Sequence, residues 1–223
     1  MKGYRVENVL PRGHRQRPAY MRSLRICTLL LLASGGCGIS GTEAPPLEWT
    51  GSQDAPEELS WSTVLAGLTE PGEPLVMRGC ILNQDGKPAS GVLLYVYHTN
   101  AEGVYPRAGG ERGNGRRHDH LRGWMRSDAQ GRYLFRTIRP GPYPGRDSPA
   151  HIHATVTRQG GRERWVDSYW FAGDPYIARE QLARREGRGG PGAIVAPSRD
   201  SDGVWQGRRD IRLADWPWRP GER

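Results

Sequence analysis

Leu75-Val-Met-Arg-Gly-Cys-Ile-Leu-Asn-Gln-Asp-Gly-Lys-Pro-Ala-Ser-Gly-Val-Leu-Leu-Tyr-Val-Tyr-His98 reads as strand, turn, strand. Leu75–Leu82 is an apolar run and 91–98 is rich in β-branched and aromatic residues. Asp85-Gly86 between them is a hairpin signal. The same alternation continues along the chain. Trp124–Ser127 and Tyr133–Ile138 flank the turn Asp128-Ala-Gln-Gly131. Ala150–Thr157 and Arg164–Phe171 are further strands, and Ile194–Pro197 and Val204–Leu213 flank Asp202-Gly203, another hairpin. Only Tyr176–Glu186 has a helical pattern. Residues 106–121 form a Gly/Arg-rich loop without apolar periodicity. Short strands at regular spacing predict an all-β fold, a single β-sandwich with long loops and one short helix. Cys80, the one cysteine of this part of the chain, leaves no partner for an intradomain disulfide and reads as a structural thiol on a buried strand.

Outside this domain the composition changes. The formal charge is +8, but residues 1–36 carry seven basic residues against Glu7, and 25 basic and 23 acidic residues remain beyond them. The basicity belongs mostly to the leader. The Arg-rich stretch 112–122 is diluted by Glu111 and Asp119, so no clustered phosphate-binding surface is expected and nucleic acid is excluded as a partner. Arg22 and Arg25 precede the apolar run Ile26–Ala33 and then Ser-Gly-Gly-Cys37. That order is the basic, apolar and small-residue order of an export signal, too short to span a bilayer. Met21 reads as the functional start. Cys37 resembles the lipidated cysteine of a bacterial lipoprotein, which predicts a lipid-anchored, otherwise periplasmic or extracellular, protein. The domain organisation is thus a leader over 1–37, a polar tether leading into the domain over 38–74, and the β-sandwich over 75–223.

One segment carries chemistry. In Tyr143-Pro-Gly-Arg-Asp-Ser-Pro-Ala-His151-Ile-His153, the two histidines sit on one face of a strand, because successive side chains alternate. A pair so placed can hold one ion, and it also occurs as two ordinary polar residues. The pair alone fits zinc or copper nearly as well as iron. Tyr143, on a Pro/Gly turn eight residues upstream, shifts the balance. A phenol with a free pKa of about 10 is held as phenolate only by a strong Lewis acid, and Fe(III) meets that need best. A zinc hydrolase is disfavoured by the lack of a carboxylate or cysteine near the histidines. Among the remaining histidines, His98 at a strand end reads as hydrogen-bonded, and His118 and His120 in the 106–121 loop read as surface residues.

Thr137-Ile-Arg-Pro-Gly-Pro-Tyr-Pro-Gly-Arg146, followed by Pro149-Ala-His-Ile-His153, resembles the core of the intradiol ring-cleavage dioxygenases, which include protocatechuate 3,4-dioxygenases and catechol 1,2-dioxygenases. Tyr95-Val-Tyr-His-Thr-Asn-Ala-Glu-Gly-Val-Tyr105, Ser127–Ile138 and Phe171-Ala-Gly-Asp-Pro175 resemble further family segments in the right order, over about residues 75–176. The resemblance implies a non-haem Fe(III) site with Tyr105, Tyr143, His151 and His153 as ligands. It implies that O2 cleaves a catechol-type ring between its hydroxyls, giving a cis,cis-muconate-type diacid. Tyr143 would be displaced by the catechol and act as a base, and Arg146 would contribute positive charge. Where the family has an arginine before Pro-Ala-His-Ile-His, this chain has Ser148, and where it has a glutamine before Phe171, this chain has Ser168. Arg122 is a substitute source of charge. A second reading, favoured by these two serines, is a non-catalytic exported lipoprotein using the same sandwich to bind a phenolic ligand or surface partner.

Overall fold

The computed structural model describes residues 51–107, 109–145, 147–177 and 187–213. The leader, Cys37, Arg146 and nearly all of the expected helix Tyr176–Glu186 lie outside them.

Two sheets face each other. The first has the order β1-β5-β2-β10-β9, where β1 is Ser62–Val64, β2 Pro74–Leu82, β5 Arg132–Ile138, β9 Ser198–Arg199 and β10 Trp205–Arg208. A short β11, Ile211–Arg212, also pairs with β2. The second has the order β4-β3-β6-β7-β8, with β3 Leu93–His98, β4 Arg122–Arg126, β6 His151–Thr157, β7 Glu163–Phe171 and β8 Ile194–Val195. One face of each sheet builds the core. Leu75, Met77, Ile81, Tyr133 and Phe135 meet Leu94, Val96, Ile152, Ala154, Val156 and Phe171. Phe135 and Tyr169 meet edge to face at 5.9 Å, and Tyr169 donates to the Tyr133 hydroxyl at 3.0 Å, so the aromatic pair is satisfied without water. The expected β-sandwich is the observed fold.

Three local expectations differ. Asp85-Gly86 turns as expected, with Gly86 at φ 81°, but β2 and β3 belong to different sheets, so the turn starts a crossover rather than a hairpin. The turn over 128–131 does the same between β4 and β5. Of these three turns, Asp202-Gly203 alone closes a hairpin, between β9 and β10. A turn signal reports that the chain reverses; which sheet receives the next strand depends on where its apolar face finds cover. Secondly, Cys80 is half-exposed. In β2 the buried residues are Leu75, Met77, Gly79 and Ile81, and alternation puts Cys80 on the opposite face. Thirdly, the chain joins the domain before Leu75. β1 pairs with β5, and the single turn Gly51–Asp54 packs on the second sheet, where the Gly51 and Ser52 amides donate to Glu163 at 3.0 and 2.9 Å.

The face of the second sheet turned away from the core positions the site. All six residues of β3 are buried: Leu94 and Val96 in the core, Tyr95 and Tyr97 beneath loops on the other side. Among the described residues no helix is long and apolar enough to cross a membrane.

Candidate metal centre

β6 presents its two histidines as its alternation requires, with Ile152 buried in the core between the half-buried His151 and His153. Both rings are held by their far nitrogens. His151 Nδ1 lies 2.7 Å from the Pro149 carbonyl, and His153 Nδ1 lies 3.3 Å from Ser168 Oγ. A ring that donates from Nδ1 keeps the Nε2 lone pair for an ion. The two Nε2 atoms converge at 3.0 Å. β6 and β7 pair as His151–Trp170 and Ile152–Tyr169, then slip to Ala154–Val166. The slip is a bulge opposite His153, and it brings Ser168 to that ring.

The tyrosines come from two loops joined by backbone contacts. The loop after β3 turns on Asn100, whose side chain accepts from the Glu102 and Val104 amides at 3.1 and 3.0 Å. The Gly141 amide donates to the Asn100 carbonyl at 2.8 Å, and Thr99 Oγ1 donates to the Gly141 carbonyl at 2.9 Å. Gly103, at φ 79°, lies so close to Pro142 that a Cβ would stand 1.8 Å from its carbonyl oxygen. Only glycine fits there. This seam brings the Tyr105 and Tyr143 hydroxyls to 2.9 Å, with Tyr143 Oη 3.3 Å from His153 Nε2. The turn after Phe171 anchors the other side, where Asp174 accepts from the Ala150 amide at 2.9 Å just before β6.

Two phenol oxygens and two imidazole nitrogens therefore point at one another. Among the described residues there is no group of three or more His, Cys, Asp or Glu side chains able to hold a metal, so a cation here depends on the tyrosines. Burial, and then the neighbouring imidazoles of His151, His118 and His98, push His153 down to about 3, and burial lowers His151 as well. Both rings are neutral donors at neutral pH. Burial, and then the hydrogen bond it shares with Tyr143, hold the Tyr105 phenol far above its usual range. It ionises only beside a strong positive charge. The donor set fits a hard, Lewis-acidic cation.

The remaining residues fall into place around it. His98 is hydrogen-bonded as expected, with Nδ1 2.7 Å from the Thr99 carbonyl and Nε2 2.6 Å from Thr137 Oγ1, and it is fully buried. His118 departs from expectation. It is 6% exposed, its ring stacked on Tyr97 at 3.6 Å and its Nδ1 2.8 Å from Tyr95 Oη. The Gly/Arg composition of its loop hid this. The available signal was the alternation of Tyr95 and Tyr97 on β3, which marks a second buried face needing a cover. Arg122 reaches Asp54 at 3.4 Å and lies over Trp124 at 5.0 Å. Ser148 is half-buried.

A family profile described as "Dioxygenase" matches residues 50–204. The chain belongs to the intradiol dioxygenase family. Within that family it is 33% identical over 117 residues to a protocatechuate 3,4-dioxygenase beta chain of Burkholderia cepacia, covering 50% of each chain. It is 34% identical over 125 residues to catechol 1,2-dioxygenase 2 of Acinetobacter lwoffii, covering 49% of this chain and 44% of that one. The chain spans about half the length of the curated relatives it matches. Among solved structures, the dioxygenase domain of a carbohydrate-binding fusion from Streptomyces sp. SirexAA-E superposes with a TM-score of 0.54 at 26% identity, over 71% of this chain and 90% of that one. Catechol 1,2-dioxygenase of Acinetobacter sp. ADP1 does so with 0.54 at 25%, over 72% and 58%. The matched span includes residues 50–74, ahead of Leu75.

Proposed function

We propose that this chain binds non-haem Fe(III) through Tyr105, Tyr143, His151 and His153 and cleaves a catechol-type ring with O2. One O2 is consumed per ring, the carbon–carbon bond between the two hydroxyl-bearing carbons breaks, and both oxygen atoms end in a cis,cis-muconate-type diacid. The observation that carries the reading is the convergence of the two tyrosine oxygens and two histidine Nε2 atoms within 2.9–3.3 Å of their neighbours, each histidine fixed from behind.

When bound, ferric iron supplies Lewis acidity, holding phenolates and a catechol dianion and readying the ring for O2. The protein's own part is proton handling and orientation. Tyr143 sits on a Pro-rich turn and is half-buried, so its oxygen can turn toward an incoming catechol and take its proton as base. Tyr105, tied into the Asn100 turn, remains in place. Arg146 belongs to the same turn as Tyr143 in sequence and is assigned to charge stabilisation.

Ferric protein should be coloured, because phenolate-to-iron charge transfer absorbs visible light. Catechol under air should then consume oxygen and raise a muconate absorbance. Colourless protein holding stoichiometric iron overturns the tyrosinate assignment. The second reading, a phenol-binding lipoprotein without turnover, is favoured by Ser148 and Ser168, which stand where the family resemblance expects an arginine and a glutamine. It requires a coloured protein whose spectrum shifts with catechol and yields no product.

The proposal includes export and a lipid anchor at Cys37, supported by the order Arg22, Arg25, Ile26–Ala33, Cys37. Cys37→Ser should release the protein from the membrane fraction; unchanged fractionation excludes lipidation there.

A further inference from the structure

Tyr97 lies between two imidazoles. On one side His118 is stacked at 3.6 Å and 8°, and on the other His153 is stacked at 4.6 Å and 25°. Tyr97 and His153 are register partners on β3 and β6, so the second contact follows from the sheet. The first does not. It requires the 106–121 loop to return over the sheet and deliver one ring, flat, to one place.

We propose that His118 is a positioning residue for His153, acting through the ring of Tyr97. The inference rests on the metal reading for its consequence and on geometry for its substance. On its metal-facing side His153 meets Tyr143 Oη and the edge-on ring of His151. Away from that side it has three constraints besides its backbone: Tyr97 on its face, Trp165 edge-on at 6.0 Å and 81°, and Ser168 at Nδ1. The Ser168 contact, at 3.3 Å, is the long end of a hydrogen bond and fixes the ring plane weakly. The stack is what sets the plane, and a stack is only as rigid as its outer member.

That outer member is held from every side. Nδ1 of His118 meets Tyr95 Oη at 2.8 Å, and Tyr95 is itself stacked on Trp124 at 5.1 Å. Gly51 lies so close over Tyr95 that a Cβ there would stand 2.0 Å from the ring. Trp124 Nε1 donates to the Gly51 carbonyl at 2.8 Å, and the Asn114 amide, at the start of the turn Gly115–His118, donates to Asp54 at 2.7 Å. The turn ends at Asp119, a buried non-glycine at φ 57°, ψ −152°. Backbone in that region persists where the surroundings over-determine it, and such positions collect at functional sites. None of these contacts belongs to the sandwich core, so the loop's construction serves the outer face alone.

The test separates this role from iron binding itself. In the metal-free protein, nitrogen NMR of the imidazoles reads the tautomer and order of His153. Wild type should show one Nδ1–H tautomer. His118→Ala should give mixed tautomers or exchange broadening at His153, and His118→Phe, which keeps a flat ring on Tyr97, should restore the single species. In ferric protein, His118→Ala should bind iron about 10-fold more weakly and shift the visible band, the size expected for a group that orients a ligand. His118→Ala with His153 signals and iron affinity both matching wild type overturns the proposal. Should His118→Ala not fold, Tyr97→Leu interrupts the same stack, and unchanged His153 signals there overturn it equally. A wild type that binds no iron sinks the metal reading, while the metal-free spectra still decide whether His118 orders His153.

Discussion

Tyr105 and Tyr143, 38 residues apart, bring their phenol oxygens to 2.9 Å because the loops that carry them share a backbone seam. The seam is made of the Gly141 amide on the Asn100 carbonyl and the Thr99 hydroxyl on the Gly141 carbonyl.

Each phenol should matter separately. Tyr105→Phe and Tyr143→Phe each remove one charge-transfer donor, so the visible band should weaken and move in both. Tyr143→Phe also removes the base and should lower kcat by about 100-fold or more. Absorption spectra and oxygen uptake on the same samples check this; an unchanged band in either variant rules that tyrosine out as a ligand.

Ser148, next to the histidine strand, stands where the family resemblance implies an arginine. Ser148→Arg should raise kcat for catechol cleavage with little change in KM, by up to about 10²–10³ if the whole stabilisation returns. Steady-state oxygen consumption reads the split, and a change confined to KM would show that the arginine acts on binding instead.

Ser168→Ala leaves His153 Nδ1 without its protein partner. Iron affinity should fall by less than about 10-fold, below the range for strongly held groups that orient metal-bound histidines, because the contact is long. Equilibrium dialysis against a ferric chelator measures it, and Ser168→Thr, which keeps the hydroxyl, should bind like wild type.

Gly79 admits the turn between β10 and β11 to the sandwich. A Cβ there would stand 1.7 Å from the Arg209 carbonyl oxygen, the same oxygen that accepts from Tyr133 Oη at 2.6 Å. Gly79→Ala should therefore displace backbone and cost roughly 1–3 kcal/mol or more. Denaturant unfolding of the metal-free protein reads this, and a midpoint equal to wild type would show that the turn yields freely.

Acid should weaken the fold through buried imidazoles. Burial pushes His98 down to about 4, so below about 6.5 the unfolded chain binds a proton that the fold does not. Stability from this residue is fully present above about 6.5 and is lost as pH falls toward about 4, by about 3 kcal/mol at most. His98→Gln should flatten the stability profile in that window in the metal-free protein. An equally steep profile in the variant would assign the acid sensitivity to other groups.

The fold and half of the site were legible in the chain because they are local. Alternation over five to nine residues marks each strand, and it alone puts His151 and His153 on one face with Ile152 turned to the core. Tyr143 stands close enough in sequence to be linked to them, whereas Tyr105 was recognised only through family resemblance. What the sequence left open depends on contacts between distant segments. The Asp85-Gly86 turn reads as a hairpin until the partner sheet is known. His118 reads as a surface residue in an Arg/Gly loop because nothing local shows that Tyr97, 21 positions earlier, offers a ring to cover. Ser168 gains its role from a one-residue slip between β6 and β7, invisible in either strand alone. The sequence by itself determined which residues could bind a hard cation. The tertiary structure decided that their donor atoms meet, since side-chain direction is a local property and the distance between two loops is not.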